Sequence, residues 1–329
     1  MPKLPKVITT SVIRSARQGE SHGGVYIVDL DSGAAEQVID WNDNSINWEG
    51  RGGDRGLRGI AFHADKIYLA ASDEIFVYDR NFNLLDSYGN RYLRRCHEID
   101  ISGDILYLTS TDLNSILQFD LLKHTFICGH SISRNERTGL LDRIRLGKSG
   151  GRTFNATSFD PNDEKGPKIT PSSAELHINN VTGNADSITI SGTRIEALLV
   201  LRGDALCEYA PLPRGTHNAA IYGDGVIYND TASNRIVIAD RSNGIRKSFA
   251  VPIFNPAELS HTEVPNDHAR QGFARGLCLY GDDIIIGGSS PSTISAYHLE
   301  TGEQIRQVNI SKDIRNCIHG LELWPQNLP

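Results

Sequence analysis

Six short segments that each carry Arg or His near their start recur along the chain, and the commonest spacing is about 40 residues. Each is followed in most cases by a tight turn and a second apolar strand, and in several a third strand ends near an acid. Together these patterns predict an all-β chain folded as a six-bladed β-propeller, because a four-stranded blade needs about 40 residues. The segments are 57–62, 96–101, 176–181, 216–221, 274–279 and 318–323. In each the lead Arg or His is followed by mostly apolar residues two and four positions later, the alternation of a strand with one packed side. Second strands follow at 65–69, 103–108, 223–228 and 281–286, most of them after Gly-Asp pairs that suit tight turns. Third strands end at Asp79, Asp120 and Asp240, and a weaker fourth strand is expected in each unit, as at 304–308.

The lead positions are Arg58, His97, His177, His217, Arg275 and His319, at intervals of 39, 80, 40, 58 and 44 residues. The interval of 80 does not hide a seventh blade, since 134–173 is polar, Gly-rich and lacks an apolar strand pair. We read 125–175 as a long insertion loop over one face and 252–272 as a smaller insertion. The last segment has no room for the rest of a blade, so 7–13 and 24–29 supply it. The ring is then closed by strands from both termini, which removes an exposed sheet edge, and 1–329 is a single domain.

Composition narrows the function. The 329 residues carry 33 Lys+Arg against 40 Asp+Glu, a net charge of −7, which argues against nucleic acid and against a polybasic membrane anchor. No apolar run approaches the roughly 18–20 residues needed to span a bilayer, and 1–14 lacks the apolar stretch of a secretory signal. Cys96, Cys128, Cys207, Cys278 and Cys317 are scattered without a C-x-x-C pair, so a disulfide framework or Cys-based zinc site is not expected. A cytoplasmic location follows as the expectation.

In a propeller the first strand of each blade lines the central channel, so the six lead residues form a ring of four imidazoles and two guanidiniums. Packing alone could use Ser, Thr, Val or Asn there at lower electrostatic cost. The ring predicts a divalent transition metal (Fe, Zn, Cu or Ni) held by His97, His177 and His217, with His319 as a fourth ligand. Glu98, Asp100, Asn179 and Glu322 are candidates to orient a ring nitrogen, and Arg58 and Arg275 to hold the anionic group of a substrate. His63, His124, His130, His261, His268 and His298 fall off the ring and read as surface residues or loop caps.

Other signals carry less. Gly147-Lys148-Ser149 lacks the first glycine of a phosphate loop, since Asp142 stands there, and His97-Glu98 lacks the second His of a zincin helix. The basic stretch Arg134, Arg137, Arg143, Arg145, Lys148 and Arg152, with a short helix at 138–146, reads as a solvated cover or as a lid for an anion. Arg51 and Arg55, ahead of Arg58, have the same two readings.

The strand His177-Ile178-Asn179, the run Phe273-Ala274-Arg275-Gly276-Leu277 followed by 284–288, and the pattern from Leu57 to Asp79 resemble an uncharacterised bacterial family of six-bladed propellers. What the resemblance implies is the fold and the ring of polar lead residues. The ring also resembles, in principle only, the four-histidine iron centre of the carotenoid-cleaving oxygenases. The leading expectation is a metal-dependent enzyme acting on a small anionic molecule in the channel, by oxidative, hydrolytic or lyase chemistry. The alternative is a non-catalytic propeller that binds an anionic ligand or a protein partner.

Overall fold

The apolar runs form six antiparallel sheets arranged as the blades of a six-bladed β-propeller. The computed structural model describes residues 3–16, 19–42, 56–136, 152–168, 175–264 and 269–325. Blade 1 runs outward from Ile60–His63 to Leu84–Gly89, and blade 2 from Ile99–Ser102 to Arg152–Phe159. Blade 3 runs from Ile178–Asn184 to Ala205–Pro211, blade 4 from Thr216–Tyr222 to Ile245–Ala250, and blade 5 from Leu277–Tyr280 to Gln304–Asn309. Blade 6 closes the ring: Asn316–Leu323 is innermost and pairs with Lys6–Ile13, with Val7 opposite Leu323 and Val12 opposite Cys317. Among the described residues no helix is long and apolar enough to cross a membrane.

Middle strands are buried on both faces, which is why they read as nearly unbroken apolar runs. Val226 and Tyr228 of blade 4 pack toward blade 3, while Ile227 between them packs against Ile285 and Tyr297 of blade 5. Each gap between neighbouring blades holds one such cluster, so the core of the described residues is divided among six interfaces. Outermost strands such as Ala34–Asp40 are largely exposed.

The acids that end the third strands are structural. Asp79 Oδ1 accepts from Asn81 N and Asn83 N at 2.8 Å, and Asp240 Oδ1 accepts from Ser242 N and Gly244 N at 2.8 and 2.9 Å. Asp120 Oδ1 and Asp29 Oδ1 do the same for the turns that follow them. These bonds close the turn to the outermost strand and hold the four carboxyls below their ordinary range.

One expectation needs correction. The span 125–175 is not simply a loop: Thr125–Glu136 and Arg152–Phe159 pair with each other and make blade 2 five-stranded. Phe154 and Ala156 pack into the gap facing blade 3, so the hairpin lies on the blade's outer edge. Arg137, Arg143, Arg145, Lys148 and the expected helix at 138–146 lie outside the described residues, as do Arg51 and Arg55. Between 252 and 272 the described positions hold one short 3-10 turn, Pro256–Glu258, and isolated bridges at Ser260 and Gly272.

At the hub the innermost strands approach so closely that side chains are excluded at some positions. A Cβ on Gly320 would stand 2.3 Å from the Arg58 carbonyl oxygen, and one on Gly59 would stand 2.7 Å from Ile99 N. Gly320→Ala is expected to destabilise the protein by about 1–3 kcal/mol through overpacking. Gly89→Ala, where the nearest atom is 3.6 Å away, should change stability by less than about 0.5 kcal/mol. Denaturant midpoints of the two variants against the parent protein check both.

Candidate functional site

Because the lead residues sit at or just before the innermost strands, the fold carries them to one end of the channel. Four of the six, His97, His177, His217 and Arg275, line a cavity of about 650 Å³ there. Arg58 and His319 are not on its lining: both are fully buried, and Arg58 Nη1 donates to the Cys96 carbonyl at 3.0 Å. The His97 ring meets His177 edge-on at 5.2 Å between centroids and stacks on His319 at 6.3 Å.

Two of the imidazoles are held by one repeated device. His97 Nδ1 lies 2.8 Å from Thr111 Oγ1 and 3.0 Å from the Arg95 carbonyl. His217 Nδ1 lies 2.9 Å from Thr231 Oγ1 and 3.2 Å from the Gly215 carbonyl. In both, the carbonyl is two residues before the histidine and the threonine fourteen after it. Each threonine opens a short 3-10 turn, Thr111–Leu113 or Thr231–Ser233, closed by a left-handed Asn. Each threonine also donates across to the next blade, Thr111 to the Ile178 carbonyl and Thr231 to the Ala274 carbonyl at 2.6 Å.

The cavity is basic. Arg275 is 4 % exposed, and its Nε and Nη2 are buried without a hydrogen-bond partner. Burial pulls it down to about 10 from its ordinary value, although Cys317 and Glu98 oppose that shift. Arg14, Arg95 and Arg270 complete the lining. The guanidinium carbons of Arg14 and Arg270 lie 4.3 and 5.3 Å from the centroid of Phe273, whose ring is 5.6 Å from that of His217. Arg95 pairs with Asp112 at 3.5 Å. Burial, reinforced by the neighbouring arginines, holds His97, His217 and His319 well below the usual imidazole range and His177 down to about 4. All four are therefore neutral near pH 7. Arg95, His177 and Phe273 have φ of 53°, 48° and 37°, so three lining residues sit in the left-handed region that side chains avoid.

The opposite end of the channel is acidic in composition. Glu98 and Glu322 line a second cavity of about 330 Å³ with Asn180, Asn218, Leu277 and Leu321. Burial pushes Glu98 up to about 7, against the pull of Arg275, and Glu322 up to about 8, with Asp100 and Glu98 adding to it. Glu98 Oε1 accepts from Asn218 Nδ2 at 3.3 Å. Asp100 accepts from Gly183 N at 2.7 Å, and Asn179 Nδ2 donates to the Thr216 carbonyl at 3.3 Å. Glu98, Asp100 and Asn179 thus bond elsewhere and Glu322 lines the other cavity, while the threonines orient the two imidazoles.

Of the expected metal ligands His97, His177 and His217 share the cavity wall and His319 lies behind it, and among the described residues no group of three or more His, Cys, Asp or Glu is placed to hold a metal ion. The surrounding guanidiniums also oppose a bare cation. Of the histidines off the ring, His63, His124, His261 and His298 bond to side chains or turn backbone at partly exposed positions. His130 differs from expectation: it is buried among Gln118, Cys128 and Ser158. His268 lies outside the described residues.

Sequence reasoning missed Arg14, Arg95, Arg270, Thr111 and Thr231. The threonines had a signal, the shared fourteen-residue spacing from a lead histidine followed by Asn three positions on. The arginines had none, since they lie in different connections that only the closed ring brings together.

No family model matches the chain, and no curated protein matches it in sequence. Solved structures do match over nearly its whole length. A chain of a nidogen/laminin complex is 9 % identical with a TM-score of 0.56, covering 96 % of this chain and 97 % of that one. A protein of unknown function from Bacteroides caccae is 9 % identical with a TM-score of 0.54, covering 97 % and 98 %. At these identities the likeness is one of fold.

The carboxyls predict a pH dependence. Glu98 binds its proton more tightly folded, at about 7 against an ordinary 4.5, so its contribution to stability falls as pH rises between those values. The neutral histidines act oppositely, and their contribution falls as pH drops below the ordinary imidazole value of 6.5. Glu98→Gln should gain stability relative to the parent as pH is raised from 5 to 8, with a slope of at most about 1.4 kcal/mol per pH unit. Urea midpoints at those two pH values test it, and a difference that does not change with pH would mean Glu98 is already ionised at pH 5.

Proposed function

We propose that the protein binds a small anionic molecule in the basic channel mouth, with the ligand's charge on Arg275. The observation that carries this reading is the burial of the Arg275 guanidinium with two donor nitrogens unpartnered and no carboxylate bonded to it, on the wall of a cavity. A buried cation without partners costs several kcal/mol, and an anion at that point offsets the cost. Arg14, Arg95 and Arg270 add positive potential around the same space. The cavity of about 650 Å³ falls in the range of small-molecule sites, about 300–1,000 Å³. The overall charge of −7 does not oppose this, because the acids stand elsewhere on the ring and surface.

This is the ligand-binding alternative of the sequence rather than the metal-dependent one. It takes from the latter the anionic molecule and one of its two arginines, and it leaves the histidines as hydrogen-bonding groups. The cysteines are free, which accords with the expected cytoplasmic location.

Arg275→Met keeps the volume and removes the charge. It is expected to melt at a higher temperature than the parent in anion-free buffer, since an unpartnered buried charge is gone. The parent should be stabilised by millimolar glycerate, malonate or phosphate, at least one of them, and the variant by none. Thermal melts across that panel provide the measurement. Equal stabilisation of both proteins, or none of the parent, overturns the reading, and a stoichiometric metal in the purified protein would favour the histidine-ligated centre instead.

A further inference from the structure

The two locked histidines define what else the ligand must carry. A threonine hydroxyl has one proton, and those of Thr111 and Thr231 are given to the carbonyls of Ile178 and Ala274, which can only accept. Toward His97 and His217 each hydroxyl must therefore accept. The second contacts of the two Nδ1 atoms, the Arg95 and Gly215 carbonyls, accept as well. Both histidines thus carry their proton on Nδ1, fixed by backbone of the neighbouring blade. A neutral imidazole so protonated leaves a lone pair on Nε2, and both rings line the cavity. With the imidazoles kept neutral by burial and by Arg275, that lone pair persists at pH 7.

The same small space therefore combines a guanidinium that needs an acceptor with two imidazole nitrogens that need donors. A bare carboxylate satisfies the first and sets lone pairs against the second. We propose that the ligand is a hydroxylated carboxylate, its carboxylate held by Arg275 and its hydroxyl protons donated to Nε2 of His97 and His217, with Thr111 and Thr231 as positioning residues. This rests on the anion-binding reading above and names the ligand class of that site. A site built to hydrogen-bond a hydroxyl rejects the analogue that lacks it, because its buried polar atoms are then left unpaired.

The experiment has two arms. Long-range ¹H–¹⁵N spectra of the ligand-free protein should show His97 and His217 protonated at Nδ1 and unprotonated at Nε2. Calorimetric titration should then show glycerate and tartrate binding about ten-fold or more tightly than propionate and succinate, which differ from them only in hydroxyls. Thr111→Val and Thr231→Val should reduce that preference toward unity, and Thr→Ser at either position should restore it. Nε2–H tautomers, or equal affinity for the hydroxylated and plain acids, overturn the proposal. The second result would leave anion binding itself standing, since the plain acids would still bind and still require Arg275. Failure of all four acids to bind would overturn the proposal too, and the anion-binding reading would then rest on the melts with malonate and phosphate alone; the spectra report the tautomers independently.

Discussion

Everything at the centre of this propeller follows from a shortage of room. Six innermost strands converge on one axis, and where they approach most closely a Cβ has no place, as at Gly59 and Gly320. Polar groups in the same space are buried, so each needs a partner in the protein or remains without one. Thr10, Thr111 and Thr231 meet this demand at three of the six joints, each donating to a carbonyl of the next blade. Arg275 does not have its demand met by the protein, and on the proposed reading an anion meets it.

The bonds that join the blades also set the chemistry of the cavity. Thr111 holds blade 2 to blade 3 and, with the same oxygen, fixes the proton of His97. Thr231 does so for blades 4 and 5 and His217. A hydroxyl rotor is free in isolation, but here its single proton is committed to the architecture. On the proposed reading, binding specificity would in this way be a by-product of ring assembly, and the two could not be varied separately at those positions.

Much of this was legible in the sequence. Blade number, ring closure and the lead residues follow from spacing and period-two alternation, because middle strands buried on both faces leave a strong apolar signal. Thr125–Glu136 and Arg152–Phe159 escaped because an outer hairpin buries one face only, and its alternation at Phe154 and Ala156 is interrupted by polar neighbours. In the site, the sequence put four histidines and two arginines on one ring, yet depth along the axis separates them. His319 and Arg58 sit behind the cavity, and Glu98, one residue after His97, belongs to the other mouth. Depth depends on how each strand bulges at the hub, as between His217 and Ala220, which a repeat pattern does not encode.

Blade 6 pairs Lys6–Ile13 with Asn316–Leu323, so its joint links residues about 310 positions apart. Blades 1 to 5 each form from one contiguous stretch, and their contacts are local by comparison. The loop entropy of that last joint is spent before its contacts are gained, so it is expected to form after the local blades. Arg14, on the cavity wall, follows the N-terminal partner of the joint, and His319, stacked on His97 behind that wall, stands on the other. The mouth therefore gains Arg14 only when the ring shuts, and on the proposed reading a chain with five finished blades would offer an anion an incomplete cavity.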